Sequence, residues 1–244
     1  MTTEWLLPLC IFLGAALYSS VGHAGASAYI ALMALFGIPA AVMRPTALVL
    51  NVIVATFTSG RFVHAGLFRW RTLWPFLIGA IPMAFVGGMI VLPGHVYRPL
   101  VGVVLWLSAA RLLWPTGLKA VDETRDPPLV AAIPAGAAIG LLSGLTGTGG
   151  GIFLSPLLLF LGWSTARPAS GVAAVFILVN SIAGIAGNLA ALGSLPPSLP
   201  IYAIAALAGA AIGTTAGIKL STKIITRALA AVLVIAGAKM IGVY

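Results

Sequence analysis

Acidic residues are scarce in this 244-residue chain, which has four of them against thirteen lysines and arginines and only 7% charged residues in all. A balance this poor in charge excludes an ordinary soluble domain. The four are Glu4, Asp122, Glu123 and Asp126. None lies within a long apolar run, which excludes a carboxylate proton relay inside a membrane. One cysteine, Cys10, leaves no partner for an intramolecular disulfide. Three histidines without an intramembrane carboxylate make a poor ligand set, so neither a metal nor a cofactor is expected. There is no Walker sequence, and "GTGGG" lacks the flanking strand and spacing of a dinucleotide fingerprint. The formal charge of +9 does not point to nucleic acid, because the cations are scattered singly between apolar runs.

What is present is hydrocarbon: 61% of the residues are hydrophobic. A bilayer core of about 30 Å needs about 20 helical residues, and runs 45–64, 72–92, 97–114, 168–190, 199–218 and 224–243 have that length. Two further runs, 5–36 and 129–162, are too long for one span, and glycine interrupts each at its centre, dividing it into two short pieces. The opening run has neither a basic n-region nor a small-residue cleavage site, so it is not expected to be a removed signal peptide. "PTGLKAVDETRDPP", 115–128, is the aqueous linker between residues 1–114 and 129–244.

The two halves read as copies. Gly22, Gly25, Leu32 and Gly37 precede Gly147, Gly150, Leu157 and Gly162 by a constant 125 residues, and each copy then reaches an Arg-Pro pair, Arg44-Pro45 and Arg167-Pro168. If each broken run returns to the side it came from, ten cations (Arg61, Arg69, Arg71, Arg111, Lys119, Arg125, Arg167, Lys219, Lys223 and Arg227) share one face, against Arg44, Arg98 and Lys239 on the other. That is a strong positive-inside bias, whereas letting each run cross once leaves none. The expected fold is therefore an all-α polytopic membrane protein of two inverted-topology repeats. Each is a glycine-broken helical hairpin plus three transmembrane helices, and both termini face away from the cytoplasm.

Non-helical backbone within hydrocarbon is tolerated only where protein or a water-filled cavity surrounds it. A helix starting after such a break turns its free N–H groups and positive dipole end toward the gap, which suits an anion. Two such breaks near the midplane follow the pattern of a transporter substrate site. The candidate anion-binding residues are His23, Gly25 and Ser27 of the first break, and Thr148, Gly149, Gly150 and Gly151 of the second. Arg44, Thr46 and Asn51, with Arg167, Ser170 and Asn180, come from the spans that follow. The competing reading of the glycines is close helix packing through small-xxx-small pairs such as Gly140/Gly144. For the arginines it is snorkelling to lipid phosphate. His23 stands opposite Thr148, in one copy only. The expected partners are a small anionic substrate and the lipid bilayer, with assembly into a homo-oligomer left open. Two other classes remain as alternatives: a membrane-embedded sensor or scaffold, and an intramembrane serine protease using Ser143.

"GLTGTGGGIFLSPLLLFLGW", the "NSIAGIAGNL" of Asn180 to Leu189, the weaker first copy "GHAGASAYIALMALFG" and "HAGLFRWR" at His64 to Arg71 resemble the TauE/SafE sulfite exporter family over nearly the whole chain. The resemblance implies a bacterial inner-membrane permease that moves sulfite or small organosulfonates such as sulfoacetate, generally outwards. The first copy departs from the glycine-rich pattern, with His23, Ala24 and Ala26 where the second has Thr148, Gly149 and Gly151.

The charge pattern generates a topological prediction. In intact cells, single cysteines in the 191–198 loop are expected to react with an impermeant thiol reagent, and cysteines in the linker or beside Arg69 only after permeabilisation. Reaction of both loops from one side would eliminate the inverted arrangement.

Overall fold

The computed structural model describes residues 2–20, 22–113, 125–216 and 222–242, with some side chains near these limits left out. Most of the expected linker, both chain ends, Lys119 and Lys219 lie outside the described residues, as do the side chains of Arg111, Lys223 and Arg227. The described residues form ten α-helices and no strand. They are α1 (Thr2–Ser19), α2 (Ala26–Leu35), α3 (Ala40–His64), α4 (Trp70–Met89), α5 (Gly94–Leu113), α6 (Leu129–Thr146), α7 (Gly151–Phe160), α8 (Ala166–Gly187), α9 (Leu199–Ala216) and α10 (Thr222–Ile241). A short 3-10 helix, Leu189–Ser194, follows α8. Helices α3, α4, α6 and α8 are each long and apolar enough to cross a membrane. The expected spans containing α5, α9 and α10 run into residues outside those described.

Both glycine-broken runs do break, but into unequal pieces instead of two short ones. The first piece, α1 or α6, has 18 residues, about 27 Å at 1.5 Å per residue, and the second, α2 or α7, has 10, about 15 Å. The break comes late because the helix continues past Pro8 to Ser19 in one copy and past Pro134 to Thr146 in the other. The short helices keep the 125-residue offset in detail. Both end in the same hydrogen-bonded turn, with Ile38 N–H on Met33 O and Trp163 N–H on Leu158 O, each at 2.9 Å.

Helix partners repeat in the same way. α1 packs along α9 and α6 along α4, while α3 meets α8 and α5 meets α10. Residue contacts give the directions. Gly136, Gly140 and Gly144 of α6 press on the backbone of Phe76, Ala80 and Ala84 in the same order, so α4 and α6 are parallel. Gly209 and Gly213 lie against Phe12 and Ala16, so α1 and α9 are parallel too. α3 and α8 are antiparallel, since Asn51 meets Ser181 while Leu48 meets Gly184. α5 and α10 are also antiparallel: Trp106 Nε1–H donates to Val234 O at 3.1 Å, and Gly102 faces Gly237 and Ile241.

One end of the bundle gathers Arg69 and Arg71, both ion-paired to Asp126 at 3.8 and 3.7 Å, and the start of α8, where Gly171 packs on Leu67. The start of α8 therefore lies at the end of the bundle from which α6 sets out. At the other end of α3, Arg44 bonds the carbonyls that close α4, and Ser194 Oγ–H donates to Ala41 O at 3.3 Å.

The α4–α6 seam is a stack of small residues at every fourth position, which is how helices without a hydrophobic driving force gain contact in lipid. The packing reading thus holds for Gly140 and Gly144. A Cβ at Gly140 would overlap the Ala80 carbonyl, whereas one at Gly184 would sit 3.6 Å from Leu48 Cδ1 and Cδ2, at ordinary contact. Gly140→Leu is expected to cost more than about 2 kcal/mol by overpacking and Gly184→Ala less than about 0.5 kcal/mol. Thermal melts of the two purified variants in detergent check the difference.

Candidate functional site

The two breaks meet inside the bundle. His23 lies three residues before the start of α2, and its Nε2 is 3.2 Å from the carbonyl of Gly151, the first residue of α7, and 3.3 Å from Ser155 Oγ. Tyr18 packs edge-on to its ring at 6.3 Å. The starts of the two short helices, one from each copy, are thereby held side by side.

Each of those helices begins at a glycine with left-handed backbone, Gly25 at φ 99° and Gly150 at φ 77°. Only glycine enters that region without steric penalty, and it lets the chain reverse directly into a helix. No side chain caps either start. The first N–H groups of an α-helix have no partner within it, and here residues 24–28 and 147–152 are buried.

The carbonyls around the breaks are treated differently. Tyr29 OH donates to Ala24 O at 2.6 Å, Tyr97 OH donates to Thr146 O at 3.1 Å, and the His23 ring reaches Gly151 O. Side chains thus occupy the acceptors and leave helix-end donors facing inward, an electrostatic environment that favours negative charge.

The central helices supply polar side chains at the same level. Asn51 Nδ2–H donates to Ser181 Oγ at 3.3 Å across the α3–α8 crossing, and Gly149 lies against both. A Cβ on Gly149 would stand 2.5 Å from Asn51 Nδ2 and 2.8 Å from Ile177 Cγ2, so close approach of the break to these helices requires glycine. Asn51 Oδ1, both amide atoms of Asn180, Ser143 Oγ and Thr46 Oγ1 are buried with no hydrogen-bond partner. Buried polar groups are seldom left so. Thr148 shares a hydrogen bond with Thr146, Oγ1 to Oγ1 at 3.0 Å, and Ser27 is buried in the first turn of α2.

The remaining predicted residues divide. Ser170 bonds back to Ala166 O at 3.0 Å and packs on Gly22, while Gly147 packs on Arg44. Arg44 and Ser170 therefore occupy matching places beside the two breaks, and the Arg44-Pro45 and Arg167-Pro168 pairs do not. Arg44 is the fifth residue of α3, whereas Arg167 is the second of α8 and exposed. Arg44 immediately precedes the expected span 45–64, but α3 begins earlier, at Ala40, so it lies in the second turn, where its guanidinium turns to another helix. NH1 donates to Ile90 O at 2.7 Å, and NH2 to Gly87 O at 2.9 Å and to Gly88 O. It satisfies the orphan carbonyls that end α4, a favourable place for a cation.

Arg61, at the far end of α3, reaches α9, with NH1 donating to Thr214 Oγ1 at 3.0 Å, Thr215 Oγ1 at 2.9 Å and Ala211 O at 3.4 Å. Ser155 and Tyr97 also reach the residues of the breaks, although the candidate set does not include them. Ser155 is four residues past Gly151, on the helix face toward the break, which is a signal the sequence did contain. Ser143, the serine a protease would need, is fully buried and unbonded, and the serine beside His23 is Ser155.

A cavity of about 430 Å³ adjoins this cluster, lined by Arg44, Leu48, Tyr97, Gly184, Asn188 and aliphatic side chains. It lies between the start of α3, the entry to α5 and the end of α8. Among the described residues no group of histidine, cysteine and carboxylate side chains could hold a metal ion.

The family model of the sulfite exporter TauE/SafE matches residues 7–240. The "Probable membrane transporter protein y4hK" of Sinorhizobium fredii (strain NBRC 101917 / NGR234) is 39% identical over 246 residues, covering 99% of this chain and 100% of that protein. No solved structure matches the chain.

The capping role of Arg44 predicts that Arg44→Ala destabilises the protein by about 2 kcal/mol, the worth of charge-assisted bonds at a helix end. Arg44→Lys is expected to recover part of this, and Arg167→Ala to leave the melting temperature unchanged. Melting curves of the three purified variants decide it.

Proposed function

Because the chain belongs to the TauE/SafE sulfite exporter family, a family of multi-pass membrane transporters, we propose that it carries a small oxyanion out of a bacterial cell across the inner membrane. Sulfite or a short organosulfonate such as sulfoacetate is the preferred cargo. The anion is held where α2 and α7 begin. One observation carries this reading: two uncapped, buried helix starts lie side by side while neighbouring carbonyls are already occupied by Tyr29, Tyr97 and His23. Asn51, Asn180 and Ser181 add hydrogen-bond donors, and His23, Thr148 and Ser155 complete the surround.

Inverted repeats fit this reading. Equivalent helices α3 and α8 cross antiparallel, as do α5 and α10. Arg44 holds the C-terminal end of α4 and Arg61 bonds Thr214 and Thr215 of α9, 17 residues or about 26 Å apart along α3. The end of the bundle carrying Arg61, Arg69, Arg71, Arg125 and Arg167 is assigned to the cytoplasm by its positive charge.

Movement follows from electrostatics. With no carboxylate in a span, the driving force is the membrane potential, which favours exit of each negative charge by about 2.3 kcal/mol per 100 mV. In proteoliposomes, uptake or release of sulfite and sulfoacetate is expected to follow an imposed potassium-diffusion potential, with sulfate, acetate and chloride as comparison anions. His23→Gln should keep the voltage response even where affinity falls. Gly149→Leu and Gly150→Leu should abolish flux in protein that still inserts, since the side chain fills the space at the helix starts. Electroneutral flux driven by a pH gradient, or normal flux in the leucine variants, would refute the mechanism.

A further inference from the structure

The cavity and the buried polar cluster are adjacent but separate. α3 and α8 cross antiparallel, so their side chains meet in successive rungs: Leu48 with Gly184, then Asn51 with Ser181. Leu48 and Gly184 line the cavity, whereas Asn51 and Ser181 are not among its walls. Leu48 is buried, and both of its terminal methyl carbons stand 3.6 Å from where a Cβ on Gly184 would be, with the Gly144 Cα 3.7 Å from the same point. One apolar side chain packed against a bare glycine thus stands at the cavity wall nearest the polar rung and forms its floor. One turn beyond it are the unpartnered Asn51 Oδ1 and the unpartnered amide of Asn180.

The chemistry on the two sides differs. The cavity is walled chiefly by aliphatic groups such as Val91, Leu92 and Ile185, with Arg44 bringing a positive charge whose bonds go to carbonyls and not to a carboxylate. An anion entering from that end meets a cation first, then hydrocarbon, then the polar rung. A constriction of bare hydrocarbon that water does not wet is a barrier to ions.

We propose that Leu48 is the gate between this cavity and the central site, and that the space it leaves beside Gly184 sets the size of the anion that passes. This rests on the transport reading above, in which the cavity becomes the vestibule on the Arg44 side. Gly184 serves the gate by offering no side chain, so a rotamer change of Leu48 alone opens the rung. A second, larger movement of the backbone is not required. The floor therefore differs from the α4–α6 seam, where glycines press directly on carbonyl oxygens and leave no room.

The test uses the full-length protein in detergent, with Cys10→Ser removing the native thiol and Ser181→Cys placing a reporter on the polar rung. The probe is methanethiosulfonate ethylsulfonate, a small organic anion. Leu48→Ala is expected to speed modification by at least about tenfold, a barrier change of about 1.4 kcal/mol, with Leu48→Val intermediate and Leu48→Phe slower than the parent. Equal rates across the series would overturn the gate. Should Leu48→Ala fail to remain monodisperse, the Val and Phe variants, which bracket leucine in size, decide by the same ordering. In proteoliposomes, Leu48→Ala should raise flux of benzenesulfonate relative to sulfite at least about tenfold. An unchanged ratio would also overturn the proposal. The thiol measurement needs no flux: wild-type protein that carries no anion would end the transport reading alone, and normal flux with labelling indifferent to residue 48 would end the gate alone.

Discussion

A helix that ends inside a low-dielectric medium leaves backbone groups without water to bond them, and this constraint organises the whole molecule. Two C-terminal ends receive a cation from elsewhere in the chain. Arg44 takes the end of α4, and Lys239 the end of α2, where Nζ–H donates to Leu35 O at 2.9 Å. Each places a positive charge at the negative end of a helix dipole. The buried starts of α2 and α7 receive no side chain. The protein thus supplies its own partners where carbonyls are exposed and leaves donors where an anion would be the complement.

The glycines of the second break divide between two tasks. Gly144 belongs to the α4–α6 seam, where its missing side chain lets two backbones touch. Gly149 and Gly150 serve the break: one allows the loop to reach Asn51 and Ser181, and the other turns the chain into α7. Close packing and the opening of the break are therefore not rival explanations of one cluster. The seam positions α6, and the position of α6 delivers the break to the α3–α8 crossing.

The two copies share architecture and differ in chemistry. Their short helices superpose in sequence at a constant offset and end in identical hydrogen-bonded turns. Yet Arg44 faces Gly147 where Ser170 faces Gly22, and His23 reaches across to α7 with no counterpart at Thr148, whose hydroxyl bonds its own copy. An exact twofold would present the same surface to each side of the membrane. These differences give the surroundings of the two breaks distinct character, with Arg44 and a cavity of about 430 Å³ beside α3 and α8 at one end of the bundle.

The sequence by itself determined the all-α membrane class, the glycines at which both long runs break and the constant offset between the two short helices that follow. Those signals are local: hydropathy over about 20 residues marks a span, and a glycine needed for left-handed backbone or close approach is marked by its identity alone. Tertiary structure decided the partners. That Arg44 caps α4, that Ser170 and not Arg167 matches it, and that Ser155 joins His23 all depend on which helices are neighbours. No sequence pattern selects those neighbours, because helices that are apolar around most of their circumference carry no stripe to indicate the packed face. The unequal division of each broken run was hidden for the same reason, since hydrophobicity continues unchanged through the point where α1 and α6 outlast half the membrane.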